Sequence, residues 1–383
     1  MNELQAAKEI MQVLINHGYD VYIVGGYVRD YLLGREGGDI DLATNARPEE
    51  VVSLFKRTVL TGVKHGTVTV LWGDYAFEVT TFRKEGKYLD HRRPENVDYV
   101  DSFQEDVKRR DFTMNALGLA IDGTIVDYVG GEDDIRHRRI QTVGDPYKRM
   151  EEDALRMLRA FRFAASLDFS IHPDTLTAIK ELGSLMNHIS LERIIEELKK
   201  LIQGQAFIKS LHLMAETKFF RHLGFFEQGL NICLEKMYQP NTFSEFLAMC
   251  FITGDAKKFS QLPLSNALVK ETKQIVQFYR EGSSINPWTI FTYGKDVALA
   301  TNRIDHVLNG QALKTKEIKQ ISNELPIHGI QDLAITGNDL MTWFNKKGGP
   351  WIKAHLLEVA QRIVLGKLEN DYDAIRQYLL KKD

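Results

Sequence analysis

Cysteine is scarce in this chain: Cys233 and Cys250 are the only two in 383 residues, and both sit among apolar neighbours. A lone pair in so long a sequence makes neither a disulfide framework nor a thiolate metal cage, and it fits buried free thiols in a reducing compartment. Long apolar runs are missing too, since no stretch approaches the roughly 20 residues that span a bilayer. At the N-terminus, Leu4, Ala7, Met11 and Leu14 recur at helical spacing between charges, which excludes a secretion signal. Together these features point to the cytoplasm. Nor is there an excess of positive charge. The 49 Lys and Arg face 52 Asp and Glu, a formal net charge of -3. A blanket polycation is excluded, so any contact with nucleic acid has to be local.

What is present changes in texture along the chain. Up to about residue 144 short strands alternate with turns and helices. Tyr19–Val24 reads as a strand ending at Gly25-Gly26. Thr67–Trp72 and Tyr75–Thr81 flank Gly73-Asp74, and Leu117–Ile121 and Thr124–Tyr128 flank Asp122-Gly123, both in the manner of two-residue hairpins. Beyond Asp145 helical periodicity takes over, with Glu152–Leu167, Pro173–Leu182 and Leu191–Leu201 the clearest segments. Prolines are few, nine in all, and Gly282–Pro287 and Gly348-Gly349-Pro350 punctuate the later helices. The spacing predicts an α/β head (1–144), a helical neck (145–205), a helical body (206–325) and a helical tail (326–383).

The sharpest chemical signal is Gly38-Asp39-Ile40-Asp41-Leu42. On a strand, alternate residues share a face, so Asp39 and Asp41 project together while Ile40 and Leu42 turn inward. Two carboxylates held that close repel each other unless a divalent cation lies between them. Upstream, Val24-Gly25-Gly26 leads into a helix bearing Arg29. Glycines let backbone N–H groups approach a phosphate, and a guanidinium one turn later adds a charged contact. One element suits a triphosphate and the other suits its metal.

A second constellation lies on the helix predicted over 152–167. Ala154, Leu158, Phe161 and Ala165 share one face, and Asp153, Arg156, Arg159 and Arg162 the other. Residues 136–162 hold eight Lys and Arg against four Asp and Glu, a local excess that bulk solvation does not require. Asp153 and Arg156 suit a particular task. Cytosine and adenine both present an amine donor beside a ring-nitrogen acceptor, which a carboxylate and a guanidinium complement. Uracil and guanine present the reverse order, so each wrong pairing costs on the order of 1–3 kcal/mol.

These residues resemble the polymerase-β-like nucleotidyltransferases and, more narrowly, the class II CCA-adding enzymes and bacterial poly(A) polymerases. The resemblance rests on Gly25-Gly26-x-Val28-Arg29-Asp30, Gly38-Asp39-x-Asp41, Glu78–Arg83, Lys108–Ala116, Glu152–Phe163, and Ser190–Ile194 with Glu197-Leu198. It is dense over residues 20–200 and thinner beyond. It implies that Asp39 and Asp41 are catalytic and bind Mg²⁺. It further implies that Asp153 and Arg156 select CTP and ATP, with Gly26, Arg29, Arg110, Arg159 and Arg162 around the nucleotide. Asp111 and Asn115 match positions near the sugar, and Glu78 is a candidate third carboxylate. Lys84–Val97, with Tyr88, Asp90, Arg92, Arg93 and Pro94, reads as a flexible surface loop, and its full length favours complete CCA or A addition over CC addition alone. His65 reads as structural, and no His/Cys/Glu grouping has zinc spacing.

The implied partner is tRNA, bound by a monomer or homodimer without a membrane. The implied reaction is attack of the tRNA 3′-hydroxyl on the α-phosphate of CTP or ATP, releasing pyrophosphate. An enzyme that adds only A, a poly(A) polymerase and a catalytically silent RNA-binding protein are the competing expectations.

Overall fold

The N-terminal periodicity becomes helix α1 (Glu3–Asn16), started by the Asn2 side chain, which accepts from the Gln5 N–H at 2.8 Å. Its buried stripe is Ala6, Ala7, Ile10, Met11 and Leu14, with Ala6, Ile10 and Leu14 successively a turn apart, and Ala7 and Met11 likewise, as an amphipathic helix requires. The computed structural model describes residues 2–35, 37–62, 66–85, 88–89, 93–94 and 97–381. Contacts divide the chain into two compact units, Met1–Gln239 and Pro240–Asp383.

In the first unit, β1 (Val21–Val24), α2 (Gly26–Leu32), β2 (Asp41–Thr44), α3 (Pro48–Leu54), β3 (Thr58–Gly62), β4 (Thr67–Trp72) and β5 (Tyr75–Thr81) follow α1. Strands β6 (Arg83–Glu85), β7 (Tyr88–Leu89), β8 (Arg93–Pro94) and β9 (Val97–Tyr99) come next, then α4 (Phe103–Val107), β10 (Gly118–Leu119), β11 (Ile125–Val126) and α5 (Gly131–Arg136). Seven strands form one mixed sheet in the order β11-β10-β1-β2-β5-β4-β3. Its one parallel pair, β2 with β5, sets Asp41 beside Glu78. The β4–β5 hairpin closes as the sequence predicts, with Trp72 opposite Tyr75 around Gly73-Asp74.

The second hairpin differs from its expectation. The ladder ends at Leu119 opposite Ile125, and one further bond from the Ala120 N–H to the Thr124 carbonyl at 2.9 Å closes a three-residue loop, 121–123, in which the Asp122 carboxylate accepts from the Thr124 N–H at 2.9 Å. Behind the sheet Val24, Ala43, Phe82, Phe103, Val107, Ala116 and Val143 form an apolar cluster, with Tyr22 stacked on Phe103 at 4.8 Å between centroids.

The segment predicted as a surface loop is partly regular. Arg83–Glu85 pairs with Val97–Tyr99 and Tyr88–Leu89 with Arg93–Pro94, both antiparallel. Asp90, Arg92 and His65 lie outside the described residues.

The helical part begins with β12 (Arg139–Ile140), α6 (Pro146–Glu152), α7 (Leu155–Leu167), β13 (Ser170–Ile171), α8 (Pro173–Leu182) and α9 (Leu191–Ile202). The single helix expected over 152–167 is interrupted at its start. Asp153 takes an extended conformation (φ -140°, ψ 102°), ending α6, and its carboxylate accepts from the Leu155 N–H at 3.2 Å as α7 begins. Asp153 therefore sits on a corner between two helices. The apolar face came out as expected: Ala154, Leu158, Phe161 and Ala165 are fully buried.

In the second unit, one apolar core draws on residues 248–318 and another on residues 327–379. A buried ion pair, Arg303 on Glu245, ties two helices there. Cys233 and Cys250 are both buried and form no disulfide. Among the described residues no helix is long and apolar enough to cross a membrane.

Candidate active site

The first unit contains a cleft of about 720 Å³ where the head meets α7 and α9. Gly26, Arg29, Asp39, Asp41, Arg110, Asp153, Arg156, Arg159 and Arg162 all line it. Residues singled out at four separate places in the sequence, Gly26 with Arg29, Asp39 with Asp41, Arg110, and Asp153 to Arg162, thus converge on one space. Its lining carries eight cations (Arg29, Arg109, Arg110, Arg156, Arg159, Arg162, Arg193, Lys200) against five carboxylates (Asp30, Asp39, Asp41, Asp111, Asp153). Such an excess favours a polyanion.

Two of the lining acids are Asp39 and Asp41. The expected strand bearing both aspartates is shorter than predicted: β2 starts at Asp41, and Asp39 precedes it. The alternation still holds, with Asp39 exposed, Ile40 buried, Asp41 half-buried and Leu42 buried. The Asp41 carboxyl is pushed up to about 6, chiefly by burial, then by the charges of Glu78 and Asp39, while Arg110 opposes the rise. Asp41 thus feels two neighbouring acids that Arg110 offsets only in part.

That donor set fits a divalent cation, which takes oxygen ligands and relieves such repulsion. No group of three or more His, Cys, Asp and Glu is preassembled as a metal site among the described residues. The fit therefore rests on the two aspartates, with Glu78 alongside Asp41.

Beside them β1 runs into Gly25 and α2. Gly25 has φ +77° and ψ -139°, a conformation that glycine alone adopts readily. An added Cβ would lie 3.9 Å from Asp41 Oδ2, so space is not the constraint. Gly25→Ala is expected to cost about 1–3 kcal/mol through backbone strain, read as a lower denaturation midpoint in urea at unchanged m-value.

Arg29 is 8% exposed and fully directed: Nε and Nη2 donate to the Asp30 carboxylate at 2.9 and 2.8 Å, and Nη1 donates to Asn115 Oδ1 at 2.8 Å. The Phe163 ring lies under three guanidinium groups, those of Arg162 at 3.5 Å, Arg29 at 5.3 Å and Arg159 at 5.4 Å from its centroid. Cation–π attraction holds these cations in place without neutralising them.

The remaining arginines are set by acids. Asp106, with no exposed surface, accepts from Arg109 Nε at 2.8 Å and from Arg110 Nη2 at 3.0 Å. Asp111 accepts from Arg159 Nε at 2.9 Å and from the Phe112 N–H at 2.7 Å. Burial would raise the Asp111 carboxyl, but Arg159 outweighs it and holds it down at about 2. Glu197, 5% exposed on α9, accepts from Arg162 Nε at 3.0 Å and Arg159 Nη1 at 3.4 Å.

Asp153 and Arg156 line the same cleft. Arg156, 6% exposed, donates through Nη1 to the Arg149 carbonyl at 2.9 Å and Glu152 Oε2 at 2.7 Å, and through Nη2 to the Arg109 carbonyl at 2.9 Å. The expected charged face of α7 is therefore packed rather than solvated. Asp153 is gripped by Arg193, Nη1 to Oδ1 at 3.1 Å and Nη2 to Oδ2 at 2.7 Å. No role for Asp106 or Arg193, nor for Glu197 as a partner of Arg159 and Arg162, follows from sequence pattern alone. Arg193 and Glu197 share one helical face at an i, i+4 spacing that α9 turns toward α7.

A mixed sheet presenting paired acids beside a glycine turn, joined to an arginine-lined helical wall, defines a nucleotidyltransferase. Comparison with family models agrees: residues 21–141 match a poly(A) polymerase head domain, 168–225 a probable RNA-binding site of polymerase A, and 243–379 a tRNA nucleotidyltransferase domain 2. The CCA-adding enzyme of Geobacillus sp. (strain WCH70) is 39% identical over 99% of this chain and 97% of its own length. That of Bacillus subtilis (strain 168) is 38% identical over 97% of each. The crystal structure of the Bacillus stearothermophilus CCA-adding enzyme in complex with CTP superposes with a TM-score of 0.84 at 36% identity, covering 100% of this chain and 98% of that one. The chain belongs to the CCA-adding enzymes, which makes it a tRNA nucleotidyltransferase of a family that works with a divalent metal ion.

Proposed function

We propose that this chain completes the 3′ end of tRNA with CCA, taking CTP and ATP without a nucleic-acid template. The observation that carries the reading is the cleft itself, lined both by Asp39 and Asp41 and by the Asp153/Arg156 pair. Asp39 and Asp41 hold Mg²⁺ in this reading, with Glu78 as the adjoining carboxylate. A bound divalent ion supplies charge stabilisation at the α-phosphate and a lowered pKa for the attacking hydroxyl.

The chain's own residues do the rest. Gly26 offers backbone at the turn, while Arg29, Arg110, Arg159 and Arg162 neutralise and orient the triphosphate with side chains already held by Asp30, Asn115, Asp106, Asp111, Glu197 and Phe163. Preorganised donors cost little reorganisation when charge develops. Asp153 accepts from the exocyclic amine of cytosine or adenine, and Arg156 donates to the adjacent ring nitrogen. The tRNA 3′-oxygen attacks the α-phosphorus, the bond to the bridging oxygen breaks, and pyrophosphate leaves. Residues 1–144 act as head, 145–205 as neck, 206–325 as body and 326–383 as tail. The separate apolar cores over 248–318 and 327–379 support the last division. The reaction belongs to the cytoplasm.

The test offers tRNA transcripts ending before CCA, after C and after CC, each with a single nucleotide. Expected additions are two C, one C and one A, from CTP, CTP and ATP respectively, with UTP and GTP used at least about tenfold less well. Extension only by ATP on the last transcript would indicate an A-adding enzyme. Long ATP tails on unrelated RNA would indicate a poly(A) polymerase.

A further inference from the structure

We infer that Arg193 is the positioning residue for base selection: its guanidinium fork fixes the plane of the Asp153 carboxylate and decides which oxygen meets the base. The inference rests on the proposed reading of Asp153 as the acceptor of the exocyclic amine. An ionised carboxylate offers about four acceptor positions. Oδ1 accepts from the Leu155 N–H at 3.2 Å and Arg193 Nη1 at 3.1 Å, which fills it, while Oδ2 accepts Arg193 Nη2 at 2.7 Å. Among the described residues, one position therefore remains, and it lies on Oδ2. A base amine has one hydrogen to place there.

Without the fork, only the Leu155 N–H bond to Oδ1 holds the carboxylate, and a single bond leaves its plane free to turn. Asp153 sits on the corner between α6 and α7, where its backbone is extended rather than helical. Rotation about the Cβ–Cγ bond would then interchange the oxygens and reorient their lone pairs. A rigid planar fork suppresses that rotation in a way a single ammonium cannot.

The placement of Arg193 is not explained by helix stability. It lies in the first turn of the 12-residue α9, where a cation opposes the helix dipole. Its side chain is 30% exposed and lines the cleft. A residue whose purpose was to knit the fold would be better buried.

The experiment measures kcat/KM for CTP and UTP on tRNA ending before CCA, and for ATP and GTP on tRNA ending in CC. It compares the full chain with Arg193→Gln, Arg193→Lys and Asp153→Asn, each with its thermal midpoint. The expected result is that Arg193→Gln lowers the CTP/UTP and ATP/GTP ratios about tenfold or more, while Arg193→Lys restores them only in part. Equal losses for all four nucleotides would make the residue structural, and unchanged ratios or full rescue by lysine would remove the fork from selection. Each of these overturns the inference. Should Asp153→Asn lower the ratios while Arg193→Gln does not, the inference alone fails. Should Asp153→Asn leave them unchanged, the reading of the base by Asp153 fails and takes the inference with it.

Discussion

Asp41→Asn is expected to abolish nucleotide incorporation, by at least about 10³-fold in single turnover, while making the metal-free protein more stable. The two halves have one cause. Metal-assisted stabilisation of a transferring phosphoryl group supplies several kcal/mol, and each 1.36 kcal/mol is tenfold in rate. Asparagine keeps the shape of the side chain but loses the anionic ligand.

The gain in stability follows from the raised carboxyl of Asp41, about 6 in the fold against 3.8 for the free group. Between those values the folded state binds the extra proton, so this group's contribution to stability falls as the pH rises from about 4 to about 6. Above 6 the full penalty remains, on the order of 1–3 kcal/mol before solvent screening reduces it. Removing the charge removes the penalty. Thermal melts at pH 7.5 with and without Mg²⁺ check this: the wild type should gain from the metal, and the asparagine variant should start higher and gain less. An asparagine variant that turns over normally would end the two-aspartate account.

Asp106→Ala carries the largest expected loss of stability. Asp106 is wholly buried, and Arg109 and Arg110, at 17% and 13% side-chain exposure, both point at it. Deleting one partner of a buried ionic cluster leaves uncompensated charge and costs about 3–5 kcal/mol. For a cooperative unit of this size that is roughly 6–20 °C in the melting midpoint. Burial works to raise the Asp106 carboxyl, yet Arg109 and Arg110 prevail and hold it below the ordinary value. An acid with a depressed folded pKa stabilises above the unfolded value near 4 and loses that contribution as the pH falls further. The gap between wild type and variant should therefore be full at neutral pH and narrow below about 4. A midpoint within a degree or two of wild type at pH 7 would show that the arginines find other partners. Since Arg110 lines the cleft, nucleotide KM should rise in the same variant.

Much of this protein follows from local rules. Alternation over Asp39–Leu42 sorted acids from core before any fold was known, because a strand has period two whatever surrounds it. The β4–β5 hairpin came out with its predicted bounds, since Gly73-Asp74 turns a chain by itself. Pro173–Leu182 and the α7 apolar face came out likewise. The residues that line the cleft were legible because glycine, aspartate and arginine stand at spacings that solvation does not demand.

Tertiary structure alone decided how those residues are held. Asp153 meets Arg193 across 40 positions, Arg159 meets Asp111 across 48, and Arg29 meets Asn115 across 86. Periodicity reports which face of an element is apolar and is silent on which charged neighbour arrives from another element. The break at Asp153 belongs to the same class. Helical propensity favours continuing through it, and a side chain held by a distant guanidinium favours a corner. The longer-range interaction prevails because local propensity is worth only tenths of a kcal/mol per residue, while a charged bidentate bond is worth more.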